Sequence, residues 1–226
     1  MPIRIYLILF VALISVSSTS LVIRHVALVP ALTLAFWRML SASGLLWAFS
    51  AQKPQSLIVT ENRSRIIFAG FFLGLHFALF FVGVRNTSVA SATLLANTGP
   101  IFTAALSWFV GQKMSKSVFL GLLISLIGII LVQWSGFGME KNTVWGNLFS
   151  LLSGFCIALT YMFASEIRKN TDSVLYGRSV FLVAAATIGF ITFFSGDSLF
   201  EFRSGDIPWF LFLNNILLFR FINKSL

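Results

Sequence analysis

Six residues inside apolar stretches are candidates for a functional site: five have side chains that could do chemistry in a membrane, and the sixth is a proline. They are Arg38, His76, Asn97, Thr98, Pro100 and Arg178. A guanidinium binds anions, an imidazole with an ordinary pKa of about 6.5 can relay protons, and amide and hydroxyl groups hydrogen-bond polar solutes. Because such groups are expensive in hydrocarbon, we expect these residues to line a substrate cavity, with Pro100 shaping it.

The charged and titratable members of this set also have interpretations without function. Arg38 could extend its charge to the membrane surface and only set the depth of its helix. Arg178 lies nearer a span end, which favours that interpretation more strongly for it. His76 could donate one hydrogen bond to a neighbouring backbone and pack. The sequence leaves both interpretations open for each residue.

Asn97 and Thr98 precede a helix-breaking Gly99-Pro100 pair. Pro100 has no amide donor and disturbs the carbonyl about one turn earlier, near Ala96, so a kink is expected there. Freed carbonyls at membrane depth are tolerated where they are buried or line water. Asn97 and Thr98 therefore either line a substrate path or only stabilise the kink.

Composition places the chain in a bilayer. Its 226 residues are 58% hydrophobic and 10% charged, and the mean hydropathy is +0.92. Soluble domains carry about 25% charged residues. The net charge of +9 comes from scattered Lys and Arg residues without a continuous basic stripe, which argues against nucleic-acid binding. The single cysteine, Cys156, excludes an internal disulfide and a multi-cysteine metal site.

Motifs for catalysis or ATP use are missing from the sequence. It has no Gly-x-x-x-x-Gly-Lys-Ser/Thr phosphate loop, no His-Glu-x-x-His pair and no Gly-x-Ser-x-Gly elbow. We therefore expect a protein that is not an enzyme and has no cofactor or metal. Any transport would draw its energy from a gradient.

The apolar stretches predict an all-α protein with about eight transmembrane helices, because about twenty residues span a bilayer core. If the N-terminus is cytoplasmic, the inside connections hold eight Lys and Arg residues and the outside ones four, which favours that orientation. The eight stretches are 5–23, 31–50, 66–84, 88–110, 117–134, 144–165, 174–194 and 207–222.

A weak internal repeat connects the second and seventh stretches. Arg38 in Ala-Phe-Trp-Arg-Met and Arg178 in Leu-Tyr-Gly-Arg-Ser are 140 residues apart, which corresponds to five helices. Because five is odd, the second copy must enter the membrane upside down. Inverted repeats of this kind are typical of secondary transporters.

Three segments carry a family resemblance: Thr87-Ser-Val-Ala-Ser-Ala-Thr-Leu-Leu95, Thr98-Gly-Pro-Ile-Phe-Thr-Ala-Ala-Leu-Ser107 and Gly121-Leu-Leu-Ile-Ser-Leu-Ile-Gly128. They resemble the drug/metabolite transporter superfamily, and most closely the EamA-type exporters. The resemblance implies inverted five-helix repeats around a central cavity. It also implies export of small metabolites, amino acids or drugs across the inner membrane, by exchange or proton coupling.

Two departures from the family pattern shape the expected organisation. Gln112 stands where the family often has an acidic residue, and the segment 214–224 looks unlike the family. We expect a complete first repeat at 1–135 and a partial second repeat at 144–226, so that the chain is a truncated or frameshifted transporter. The alternative is a non-transporting remnant that either folds partially or pairs with another copy as a homodimer.

Overall fold

The computed structural model describes Tyr6, Phe10 and residues 17–50, 58–111, 115–134 and 141–200. Helices account for 85% of this part and it contains no strand, which confirms the expected all-α architecture there. The helices in chain order are α1 (17–25), α2 (Ala31–Ser50), α3 (Thr60–Asn86), α4 (Val89–Ala96), α5 (Gly99–Phe109), α6 (Lys116–Trp134), α7 (Lys141–Ile167) and α8 (Ser173–Ser195).

Within the described ranges, five segments are long and apolar enough to cross a membrane, and α6 adds a shorter apolar segment. The second to seventh predicted spans coincide with these helices. Most of the first predicted span and all of the eighth lie outside the described residues. The five segments are Ala31–Ala48, Thr60–Asn86, Val89–Phe109, Thr143–Ile167 and Ser173–Ser195.

The predicted kink divides the fourth span into α4 and α5. Helix α4 ends at Ala96 and α5 begins at Gly99, and the Thr98 N–H bonds the carbonyl of Leu95 (3.2 Å) in a tightened turn. Pro100 lies in the first turn of α5, where its missing N–H has no helical partner to lose. The kink is therefore confirmed at the position that the Gly-Pro pair indicated.

Helices α3 and α7 run antiparallel at close range. Near the start of α3, Asn62 Nδ2 donates to the carbonyl of Ile167 (3.4 Å) at the end of α7. At the other end, a Cβ added to Gly146 would lie 2.5 Å from the backbone carbon of Asn86. Backbones approach this closely in membranes only where small residues allow it.

Helix α8 packs parallel to α3 through two glycines. A Cβ on Gly70 would lie 2.5 Å from Cβ of Val183, and one on Gly74 would lie 2.8 Å from Cβ of Thr187. Small residues four apart on one helix, as Gly70 and Gly74 are, allow this close approach. Helix α3 is therefore held between α7 and α8.

Helix α6 lies at the edge of the bundle. Gly121 and Ser125 have the same four-residue spacing as Gly70 and Gly74, but a Cβ on Gly121 would meet nothing within 4 Å. Ile124 and Leu131 are 63% and 68% exposed. Exposed apolar surface of this kind is compatible with contact to lipid. In the described residues, the small-residue spacing that brings α8 against α3 brings no other helix against Gly121.

Helices α2 and α8 run antiparallel. Oγ1 of Thr33, near the start of α2, donates to the carbonyl of Ser198 (2.7 Å), just after α8 ends. Near the other end, Nη1 of Arg178 in α8 donates to Oγ of Ser50 in α2 (2.9 Å). Helices α2, α3, α7 and α8 thus form one bundle in which α3 contacts the other three, and α4 and α5 pack mainly on α7.

Candidate functional site

Arg38 extends from α2 towards α1 and α3. Its Nη1 donates a hydrogen bond to Oγ1 of Thr19 (2.8 Å), and its guanidinium carbon lies 5.4 Å from the centroid of the Phe77 ring. The side chain is half-buried. At about 1.5 Å per residue from Ala31, Arg38 lies about 10 Å in from the start of α2. Its guanidinium therefore contacts two neighbouring helices.

His76 lies in the middle of α3, against α7. Its Nδ1 is 2.9 Å from both the hydroxyl oxygen and the carbonyl oxygen of Ser153. The hydroxyl donates to Nδ1 in one tautomer, and Nδ1 donates to the carbonyl in the other. The imidazole stacks on Phe80, with ring planes 1° apart and centroids separated by 6.1 Å. His76 therefore has two partners on Ser153. The backbone carbonyl fits an imidazole that only packs, and the hydroxyl fits one that exchanges a proton.

Phe77 brings Arg38 and His76 to one surface. Its ring lies under the guanidinium and meets the imidazole edge-on, with 4.9 Å between the ring centroids and 73° between the planes. The end of α3 nearest to His76 lies beside the start of α2, which is the end nearest to Arg38. A hydrogen bond shows this, because Nη2 of Arg85, in the last turn of α3, donates to the carbonyl of Val29, just before α2 begins (2.8 Å). His76 lies about 15 Å in from that end of α3.

A second set of hydrogen bonds extends from α1 to α4. Ser20, which follows Thr19, shares a hydrogen bond of 3.0 Å with Oγ1 of Thr93. Nδ2 of Asn97 donates to the carbonyl of Thr93 (2.8 Å), and the Asn97 side chain is exposed. Through the adjacent residues Thr19 and Ser20, Arg38 is therefore connected to the predicted residue Asn97.

The helix break joins the same region from the α7 side. Oγ1 of the buried Thr98 donates to the carbonyl of Leu95 (2.6 Å). A Cβ on Gly154 would lie 2.4 Å from Oγ1 of Thr98, so these two residues are in direct contact. Gly154 follows Ser153, the partner of His76. Thr98 and His76 thus contact consecutive residues of α7.

We call the connected side chains the polar belt; it crosses α1, α2, α3, α4 and α7. Sequence analysis predicted two of its members, Arg38 and His76, and missed the four hydroxyl residues. The signal for two of these was the run Ser15-Val-Ser-Ser-Thr-Ser20, which interrupts the first apolar stretch. The members are Thr19, Ser20, Arg38, His76, Thr93 and Ser153.

The remaining predicted residues lie away from the centre of the belt. Pro100 is exposed in the first turn of α5. Arg178 is only 5% exposed, and its guanidinium carbon lies 4.2 Å from the centroid of the Trp47 ring. Its other contact, Ser50, lies about 18 Å from Arg38 along α2. Arg178 is therefore enclosed in the opposite half of the bundle.

The belt offers a guanidinium, an imidazole and four hydroxyls, carried by α1, α2, α3, α4 and α7. These groups can hydrogen-bond the polar part of a solute, and His76 can exchange a proton. In the described ranges, no three His, Cys, Asp or Glu residues are grouped so that they could hold a metal ion. The arrangement is suited to solute binding through hydrogen bonds and charge.

The family model of the EamA-like transporter family matches residues 3–134. The uncharacterized transporter YdfC of Bacillus subtilis (strain 168) is 30% identical over 166 residues, which are 72% of this chain and 53% of YdfC. An uncharacterized transporter of Helicobacter pylori (strain J99) is 28% identical over 100 residues, 44% of this chain and 33% of that protein. YetK of Bacillus subtilis (strain 168), another uncharacterized transporter, is 26% identical over 128 residues, 55% of this chain and 37% of YetK.

The matched part thus covers about half of YdfC and about a third of the other two proteins. The family match extends over more than half of this chain and includes α2 to α6, with the helix break and three of the five segments that could cross a membrane. The chain belongs to the EamA-like transporter family and is a multi-pass membrane protein.

Proposed function

We propose that this protein is a secondary transporter that exports small metabolites, amino acids or drugs by alternating access, and that the polar belt is its solute site. The observation that carries the proposal is the contact of Arg38 and His76 with one ring, Phe77, at depths of about 10 and 15 Å. Charged and titratable groups at such depth usually mark a solute or proton path. Family membership supports the same function.

The wider site takes in the other predicted residues. Asn97 and Thr98 belong to it through their contacts beside Thr93 and Gly154, and Pro100 shapes it by breaking the fourth span. Arg178 forms the part of the cavity in the opposite half of the bundle. Its enclosure by α2 suits a state in which that half is closed.

The proposed organisation is a first five-helix repeat at 1–135 and a partial, inverted second repeat at 144–226. The antiparallel contact of α2 with α8 supports it, because a five-helix repeat reverses the direction of matched helices. Arg38 and Arg178 occupy matching places in these two helices, 140 residues apart. We place the protein in the inner membrane with a cytoplasmic N-terminus.

Flux measurements on the purified full chain in proteoliposomes test the transport function. Vesicles loaded with a labelled library of amino acids, small metabolites and cationic drugs should release at least one compound faster than protein-free vesicles. An imposed proton gradient should accelerate that release if coupling is by protons, and unlabelled solute on the other side should accelerate it if coupling is by exchange. Folded protein that releases no compound would contradict transport and favour the non-transporting remnant.

A further inference from the structure

We propose that the transported solute is a small organic carboxylate whose charge is neutralised by the guanidinium of Arg38. This inference rests on the proposed transport function and names the chemical class of its solute. Guanidinium N–H groups bind both oxygens of a carboxylate in a matched, two-point geometry.

The contacts of Arg38 are neutral. One N–H donates to the hydroxyl of Thr19 (2.8 Å), and the guanidinium carbon lies 5.4 Å from the Phe77 centroid. Phenylalanine is a weaker partner for a cation than tryptophan, and neither contact cancels the charge. Because a charge interacts more strongly in a medium of low dielectric constant than in water, this site attracts an anion.

The acidic residues of the described ranges are engaged or lie elsewhere. Glu166 pairs with Lys169 (2.7 Å) and Asp172 caps α8 by accepting two backbone N–H groups, whereas the other two are exposed near helix ends. None of them forms an ion pair with Arg38. Three further acidic residues, Glu140, Glu201 and Asp206, lie outside the described residues. The four described carboxylates are Glu61, Glu166, Asp172 and Asp197.

Arg178 shows how this protein accommodates an arginine that is closed off from solute. Its guanidinium lies 4.2 Å from the centroid of Trp47, donates to Ser50 and belongs to a side chain that is only 5% exposed. Arg38 has a more distant ring of a weaker type and is half-buried. Of Arg38 and Arg178, Arg38 is therefore the one whose guanidinium is open to an anion in this conformation.

The rings beside Arg38 indicate the rest of the solute. The Phe77 ring lies under the guanidinium, the imidazole of His76 meets that ring, and Phe80 stacks on the imidazole. A solute held by Arg38 would therefore place its uncharged part on aromatic surface. A carboxylate with an apolar or aromatic body fits both features, and a compact inorganic anion fits only the first.

Ligand binding to the purified full chain in detergent tests this assignment without measuring transport. The probes are phenylacetate, phenylacetamide, 4-methylpentanoate, 4-methylpentanamide and inorganic phosphate, each titrated while the thermal melt is followed. Each carboxylate should bind at least about tenfold more tightly than its carboxamide and more tightly than phosphate. Arg38→Gln should abolish this preference and Arg38→Lys should keep part of it. Arg63→Gln, at an exposed residue of α3, should leave it unchanged.

Several results would overturn the assignment: equal binding of carboxylates and carboxamides, no binding of either carboxylate, phosphate binding as tight as phenylacetate, or a preference that survives in Arg38→Gln. If Arg38→Gln does not fold, the assignment is still tested by the carboxylate preference of the wild type and by its partial loss in Arg38→Lys. Flux of neutral solutes without carboxylate preference would leave transport standing and refute this inference. Carboxylate binding that depends on Arg38, in a protein that moves no solute, would refute transport and keep the anion site.

Discussion

Arg85 is a charged residue of α3 whose hydrogen bonds all go to backbone. Its Nη1 donates to the carbonyl of Ala27 (2.7 Å), and its Nη2 donates to those of Val26 (2.7 Å) and Val29 (2.8 Å). These carbonyls belong to the turn between α1 and α2. The guanidinium thereby fixes the two helices that supply Thr19 and Arg38 to the polar belt.

Replacing Arg85 by lysine should therefore lower the melting temperature of the protein in detergent. A lysine ammonium cannot reproduce the planar fork that reaches three carbonyls, and hydrogen bonds to a charged donor contribute about 1.5–3 kcal/mol each. Arg63→Lys, the same change at an exposed site in the same helix, is the matched control and should melt like wild type. Equal melting of the two variants would show that the turn does not depend on Arg85.

The belt residues differ in how far the sequence could predict them. Arg38 and His76 stand out because their side chains are costly in lipid. Thr19 and Ser153 do not, because a hydroxyl in a helix can bond its own backbone, as Thr192 does with the carbonyl of Ile188 (2.8 Å). Such a residue needs no partner on another helix, so its presence in a span does not say what it contacts.

At the scale of helices, the positions of the second to seventh spans followed from the sequence, and their packing partners did not. Membrane thickness sets the length of each apolar stretch, so Ala31–Ser50 matches the prediction of 31–50. Partner choice depends on surface shape. Gly70 packs on Val183 while Gly121 meets nothing within 4 Å, although both lie in patterns of small residues four apart.

The glycines between α3 and α7 give a prediction at this scale. In Gly146→Ala the new methyl would lie 2.5–2.7 Å from backbone atoms of Asn86 and Thr87, which cannot rotate away. Overpacking of this kind costs about 1–3 kcal/mol, so the melting temperature in detergent should fall. Gly44→Ala is the control, because a Cβ at Gly44 of α2 meets nothing within 4 Å. An unchanged melt for Gly146→Ala would contradict the close α3–α7 contact.

At the scale of the whole molecule, hydrogen bonds show which connections between helices lie at the same end of the bundle. The bond from Thr33 to Ser198 places the start of α2 beside the end of α8. The bond from Asn62 to Asn170 (2.5 Å) places the start of α3 beside the connection between α7 and α8. These two pairs lie at opposite ends of the bundle. From the Lys and Arg distribution we propose that the second end faces the cytoplasm.

Cysteine labelling in whole cells tests this topology. In a Cys156→Ser background, Leu28→Cys and Asp197→Cys should react with a membrane-impermeant maleimide added outside. Glu61→Cys and Lys169→Cys should react only after the membrane is opened. All four residues are exposed, so accessibility depends on the side of the membrane. Labelling of both pairs from the same side would contradict the arrangement, and a reversed pattern would contradict the cytoplasmic N-terminus.

The central claim is that the polar belt binds the solute that the protein moves. Its most direct test is the initial rate of solute release from proteoliposomes that contain equal amounts of folded wild type, Arg38→Gln or Arg63→Gln. Arg38→Gln should lower kcat/KM at least about tenfold, a loss of about 1.4 kcal/mol of transition-state binding, and Arg63→Gln should match wild type. Equal rates for all three proteins would contradict the assignment of the belt as the solute site.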